Sequence, residues 1–305
     1  VVLLAAVILV AQFLIVGAAT FQNPVLGLYV LLSVVPAAIL VAYVWRMDVT
    51  MREPLAMLVV TFTLGFLFAG FAAVLNTVLQ RWVTSVPLVG FVLFFYLVVG
   101  PVEETVKWLA VRLYAYRSSH FDAVIDGAVY GAAAGLGFGT IENTIYITSQ
   151  FLNAASASSL QVGLSQALQT ATLRTFAGPG HVIYTSFSGY YLGLAKFNPE
   201  NRGPIVVKGV LIAALIHATY DTAVTYLDPV ASLVFGHSFV TQWSGAIFIA
   251  FVFVYDGFFL WILYRKLSRY RGTYRELGAG GADGDPFDAE LTPAVEYVGD
   301  ERRER

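Results

Sequence analysis

FVLFFYLVVGPVEETVKWLAV, residues 91–111, has the length of a membrane-spanning helix and the wrong residues at its centre. About 20 mostly apolar residues cross a bilayer core. Here Glu103, Glu104 and Lys107 interrupt the apolar run within little more than one turn. A charged side chain at bilayer depth costs roughly 2.5 to 3.5 kcal/mol on insertion scales, and such groups normally face a protein interior or a wet cavity. Gly100-Pro101 lies just ahead of the acids. Proline removes a backbone donor and crowds the preceding turn, which predicts a break or kink at that point.

The rest of the chain supports a lipid solvent. It is 58% hydrophobic and 12% charged, about half the charged share of a soluble domain. The fold class is all-α and polytopic. Apolar runs at roughly 1–20, 25–45, 55–79, 86–111, 124–150, 170–195, 205–226 and 240–264 predict eight spans, with a polar site in the core of the fourth to seventh. Asn23-Pro24, Glu53-Pro54, Asn198-Pro199 and Asp228-Pro229 punctuate the gaps. Residues 160–176 read as an interfacial helix, with the sixth span starting at Gly178. Residues 1–270 form the membrane domain. Residues 271–305 form an acidic tail, with nine acids against three arginines after Arg275, and it is predicted to be disordered in the cytoplasm.

Loop charge predicts orientation. Arg46 and Arg52, Arg112 and Arg117, Lys196, Arg202 and Lys208, and the Arg265–Arg271 cluster fall on one side; Arg81 stands alone on the other. The positive-inside rule then places both termini in the cytoplasm of a multi-pass cell-membrane protein. Arg174 fits this pattern poorly. A net charge of −2 argues against nucleic acid as a partner. The absence of cysteine excludes disulfides, thiolate catalysis and cysteine-ligated metal.

Lys107 is four residues from Glu103 and three from Glu104, so either acid shares a helix face with it. One glutamate is thereby positioned, while its neighbour, about 100° around the helix, points elsewhere. The fifth run, with Gly127, Gly131, Gly135, Gly137 and Gly139, suits close helix approach and ends on Glu142-Asn143. Asp126 reads as a solvated or capping residue. The sixth run carries His181 after Gly178-Pro179-Gly180; the seventh carries His217, with Asp221 one turn on. A carboxylate at that spacing can fix the tautomer of an imidazole and leave its other nitrogen for a metal or water. Two histidines plus a glutamate form a ligand set for catalytic Zn2+ with a position left for water. Without metal, one glutamate can activate water directly while histidine and Asn143 stabilise an oxyanion. Either chemistry is amide hydrolysis in or near the membrane. A proton- or cation-coupled transporter is the rival from another class. The lack of an internal repeat counts against it.

Glu103-Glu104-Thr105-Val106-Lys107 matches the EExxK motif of the PrsW family of intramembrane proteases, and Phe138-Gly139-Thr140-Ile141-Glu142-Asn143 resembles its GFxxxEN element. His181 and His217-Ala218-Thr219-Tyr220-Asp221 resemble its later histidine motifs, so the likeness covers about residues 95–225. The wider relatives are CAAX prenyl proteases and bacteriocin-processing enzymes, which carry an arginine where Lys107 stands and a histidine where Glu142 stands. The resemblance implies a membrane-bound metalloprotease acting on a membrane-anchored protein. On this reading Glu103 is the general base and Glu104, held by Lys107, its partner, with the two exchangeable. Glu142, His181 and His217 are the zinc ligands, Asp221 a supporting or fourth ligand, and Asn143 a polarising donor. The metal-free, CAAX-like mechanism is the alternative.

Overall fold

The computed structural model describes residues 11, 14, 17, 23–48 and 52–280, with side chains described through residue 275. The apolar run 1–20 and the acidic segment 281–305 lie essentially outside these residues. Seven helices follow one another: α1 (Pro24–Trp45), α2 (Leu55–Val83), α3 (residues 90–113), α4 (Val124–Ala157), α5 (Leu160–Lys196), α6 (Arg202–Phe235) and α7 (His237–Gly280). The boundary placed at 270 therefore falls inside α7.

Of the eight expected spans, the seven from 25–45 to 240–264 correspond to these seven helices, and the first, 1–20, lies essentially outside the described residues. Five of them, α1, α2, α4, α6 and α7, are long and apolar enough to cross a membrane on their own. The other two differ from these: α3 is divided by its π-helical turn and bears Glu103, Glu104 and Lys107, and α5 is rich in Gly, Ser, Thr and Gln. Both place ionisable groups in the protein interior, as intramembrane charges require. Outward-facing Leu31, Ile39, Val59, Phe253 and Val254 provide the apolar exterior.

Helix α3 is not broken at Pro101. It runs as Gly90–Phe94, a π-helical turn Phe95–Val99, then Gly100–Leu113. Pro101 has no N–H to close the preceding turn, and the chain answers by widening one turn rather than by breaking. Gly100 then lets α3 touch α6: a Cβ there would strike the Ala214 carbonyl and the Ala218 side chain. That approach sets Glu103 and Glu104 beside His217.

Helix α4 is the buried centre, with nearly every residue from Val124 to Gly139 inside the protein. Its glycines allow backbone contact. Gly127, Gly131 and Gly135 lie against the α5 carbonyls of Gly189, Thr185 and His181, and Gly137 lies against the Phe62 carbonyl of α2. At 1.5 Å per residue, 34 residues make α4 about 51 Å long, well beyond a core of about 30 Å. The separate interfacial helix expected at 160–176 is also corrected: α5 is continuous through Pro179. Ala167 and Ala171 of this stretch are buried against Leu26, Ile147 and Phe151, and this packing keeps it in line with the remainder of α5.

The α4–α5 contact yields a first prediction. Gly135→Ala puts a methyl group onto the His181 carbonyl, and overpacking of this kind costs about 1 to 3 kcal/mol. A lower unfolding midpoint in detergent is expected, together with reduced activity from displacement of His181. An unchanged midpoint would show that the two helices are not in backbone contact.

Candidate active site

Three helices bring the central groups together. Glu103, Glu104 and Lys107 come from α3, His181 from α5 and His217 from α6, and all five are buried. Lys107 Nζ lies 2.8 Å from Glu104 Oε1 and 3.5 Å from Glu103 Oε2, so it serves both acids and favours Glu104. It also donates to His181 Nδ1 at 3.0 Å and sits 4.1 Å from the centre of the Phe138 ring. An ammonium group has no acceptor, so Nδ1 of His181 must accept and the ring proton of a neutral imidazole resides on Nε2. That nitrogen meets Glu142 Oε2 at 2.6 Å.

Glu104 is fixed from several sides. Besides Lys107, it accepts from Thr185 Oγ1 at 3.2 Å and faces His217 Nδ1 at 3.1 Å. In the neutral imidazole, donation from Nδ1 to Glu104 leaves Nε2 as the lone pair. This is the orienting role that sequence spacing assigned to Asp221. Asp221 instead approaches Nε2, at 3.6 Å, and stands on the ligand side of the ring. Glu103 Oε2 is 3.8 Å from the same nitrogen and has no hydrogen-bond partner, while Asn76 of α2 holds Glu103 Oε1 at 3.0 Å.

Glu103, His181 and His217 each offer a ligand atom within 4.8 Å of the others. At Nε2 of the neutral His217 ring three acceptors converge: the imidazole lone pair, the Glu103 oxygen that Lys107 reaches only at 3.5 Å, and the Asp221 carboxylate. Such a grouping calls for a cation or a proton, and one carboxylate with two imidazoles suits zinc. The residues therefore fit a Zn2+ ion. Binding through His181 requires the proton shared between Nε2 and Glu142 to leave, so metal loading is coupled to proton release.

Glu142 and Asn143 from α4 stand beside this set. Glu142 is within 2.6 Å of the Arg174 guanidinium, and Arg174 Nε donates to Asn143 Oδ1 at 2.7 Å. Asn143 Nδ2 in turn donates to Ser33 Oγ of α1 at 3.0 Å. The close triad thus comes from α3, α5 and α6, while α4, expected as an equal contributor, supplies Glu142 at its edge and chiefly packs. The two imidazoles lie edge to face at 5.3 Å, and Tyr184 backs His217 at 5.5 Å.

A cavity of about 700 Å³ reaches the site through Glu103, Glu142, Arg174 and Asp221. It extends past Asn76 and Phe94 toward Gln80, Phe91 and Leu227, at the ends of α2, α3 and α6 remote from Asp126. Sequence reasoning missed Arg174 and Asn76. Each carried a signal: Arg174 violated the loop-charge pattern, and Asn76 is an amide that ends the uncharged, mostly apolar run 64–75.

Residues 53–257 match the family model described as "PrsW family intramembrane metalloprotease". The chain is 31% identical to Protease PrsW of Clostridioides difficile (strain 630) over 193 residues, covering 63% of this chain and 76% of that protein. It is 29% identical to Protease PrsW of Bacillus subtilis (strain 168) over 199 residues, covering 64% and 82%. No solved structure matches the chain.

Proposed function

We propose, because this chain belongs to the PrsW family of intramembrane metalloproteases, that it hydrolyses a peptide bond of a membrane-anchored protein at the buried Glu103–His181–His217 cluster. The observation that carries the assignment is the convergence of one buried carboxylate and two buried imidazoles from three helices, with Glu103 opening onto a cavity. Zinc, when bound there, supplies a water whose pKa falls to about 7 and a Lewis acid for the scissile carbonyl.

The chain's own residues do the rest. Glu104 holds His217 in the tautomer that exposes Nε2, and Lys107 neutralises the adjacent acids. Asn76 fixes the rotation of Glu103. The family resemblance implied Glu103 as the base and Glu142 as a ligand; the distances support the exchange. Glu103 belongs to the close ligand set, and Glu142, paired with Arg174 and open to the cavity, is placed to take a proton and return it to the leaving amine. Asp221 completes the ligand side of His217. Asn143 acts through Arg174, which it orients.

One contact favours a second, metal-free reading. The Lys107 hydrogen bond makes His181 Nε2 a donor, and a donor beside Arg174 can stabilise an oxyanion while Glu103 activates water. Chelation separates the two. The metal reading expects purified protein treated with a zinc chelator to lose cleavage of a membrane-anchored reporter and to regain it on adding zinc. Full activity after verified removal of metal would leave the glutamate mechanism.

We orient the basic loops, and with them both termini, toward the cytoplasm, which turns the cavity mouth to the opposite face and to the lipid. The proposed access is therefore lateral or from that opposite face. With no native cysteine, single substitutions report the sidedness directly. Ser85→Cys is expected to react with an impermeant thiol reagent from outside intact cells and Ser119→Cys only after lysis; the reverse labelling would invert the orientation.

A further inference from the structure

A second acidic cluster lies at the other end of α4, remote from the cavity. Asp48 follows α1, Glu53 precedes α2 and Asp126 sits in the first turn of α4. One carboxylate oxygen from each lies within 4.8 Å of the others. Three segments distant in sequence therefore converge on one point. Proximity of acids alone would mean little; the state of the individual oxygens is what distinguishes this cluster.

Glu53 is 1% exposed and Asp126 is fully buried. Neither oxygen of Glu53 has a hydrogen-bond partner, although the side chain is turned into the cluster. Asp126 Oδ2 accepts the N–H groups of Asp122 and Ala123, both at 2.7 Å, and caps the start of α4. Its Oδ1 is unpartnered, as is Oδ1 of neighbouring Asp122. Tyr130, on the same helix as Asp126, donates to Met57 Sδ rather than to any acid. Among the described residues no lysine or arginine forms an ion pair with Glu53 or Asp126.

Buried carboxylates at this separation cannot all ionise unless positive charge is supplied, because each raises the cost of charging the next. Hydrogen bonds from the backbone just ahead of α4 relieve only one oxygen. The remaining donors are all carboxylate oxygen, with neither imidazole nor thiolate, the chemistry of a hard divalent cation rather than of zinc or copper. Asp48 is only partly buried and gives such an ion a path from water.

We propose that Asp48, Glu53 and Asp126 bind a divalent cation of the Ca2+ or Mg2+ class, a site separate from the hydrolytic centre. The ion ties the α1–α2 connection to the start of α4. That tie matters because α4 locates α5, and so His181, through the glycine contacts described above. The inference does not depend on the hydrolytic reading.

The test uses the full chain in detergent after treatment with EDTA. Its unfolding midpoint is followed while Ca2+ alone, or Mg2+ alone, is added. A saturable rise of several degrees is expected for the wild-type chain and for His217→Ala, which disables the hydrolytic centre only. Glu53→Gln is expected to remove the response. Should that variant not fold, Asp48→Asn, at the partly exposed position, is expected to weaken half-saturation by about tenfold or more. Failure of both cations to shift the wild-type midpoint would overturn the proposal. So would an identical shift in the variants, or a Glu53→Gln chain already as stable without cation as the loaded wild type, which would mean that the acids share protons instead.

Discussion

Glu103→Gln is expected to lower cleavage by about four orders of magnitude and leave the chain folded. Losses of this size follow when a group that moves a proton or fixes the reacting centre is removed. The replacement is isosteric, Asn76 can rotate its amide to accept from the new side chain, and Lys107 keeps its closer partner Glu104. Stability is therefore expected to stay within about 1 kcal/mol of wild type. Zinc content separates the two mechanisms. It falls along with activity if Glu103 is a ligand, and a metal-free catalyst shows the same loss of cleavage with no metal in either protein. A variant that cleaves at the wild-type rate would remove Glu103 from the site.

The second large effect concerns stability. Lys107→Met leaves Glu104 fully buried without its cation and deprives Glu103 of a compensating charge. Breaking a buried pair in this way costs about 3 to 5 kcal/mol, a large part of the roughly 5 to 15 kcal/mol that holds a domain together. The expected result is a chain with poor yield and a midpoint lowered by many degrees. Adding Glu104→Gln to Lys107→Met removes the stranded charge and is expected to recover most of the stability. Activity should not follow, because His181 Nδ1 has lost its donor and His217 Nδ1 faces a neutral amide, a change in outer support that typically costs about 10- to 100-fold. Thermal unfolding and reporter cleavage of the wild type and the two variants provide the check. Equal instability of the single and double variants would show that charge compensation is not the role of Lys107.

Glu103, Glu104, Lys107, His181 and His217 were legible in the sequence because each is an ionisable group in apolar surroundings, and lipid makes such residues costly without a purpose. Helical spacing correctly put Lys107 in reach of both acids. It misjudged the partner of His217, where Asp221 at four residues' distance was the visible choice and Glu104 makes the Nδ1 contact. Periodicity along one helix carries no information about a side chain arriving from another. Arg174 and Asn76 were missed for the same reason. Pro101 and Pro179 marked places where backbone bonding must change without saying how, and packing decided the outcome: a widened turn in α3, an uninterrupted rod in α5. The glycine spacing of α4 foretold close approach, though not that α4 would spend its surface on backbone contact and leave the metal-type triad to α3, α5 and α6.

The most direct test follows the bond that is broken. Purified chain in lipid vesicles is incubated with a membrane-anchored reporter in isotopically heavy water, and the products are weighed by mass spectrometry. The account predicts a defined pair of fragments, the heavy oxygen in the newly formed carboxylate, and no fragments from Glu103→Gln or His217→Ala. An intact reporter with the folded wild-type chain, or the same fragments from the variants, would contradict a hydrolytic centre at this cluster.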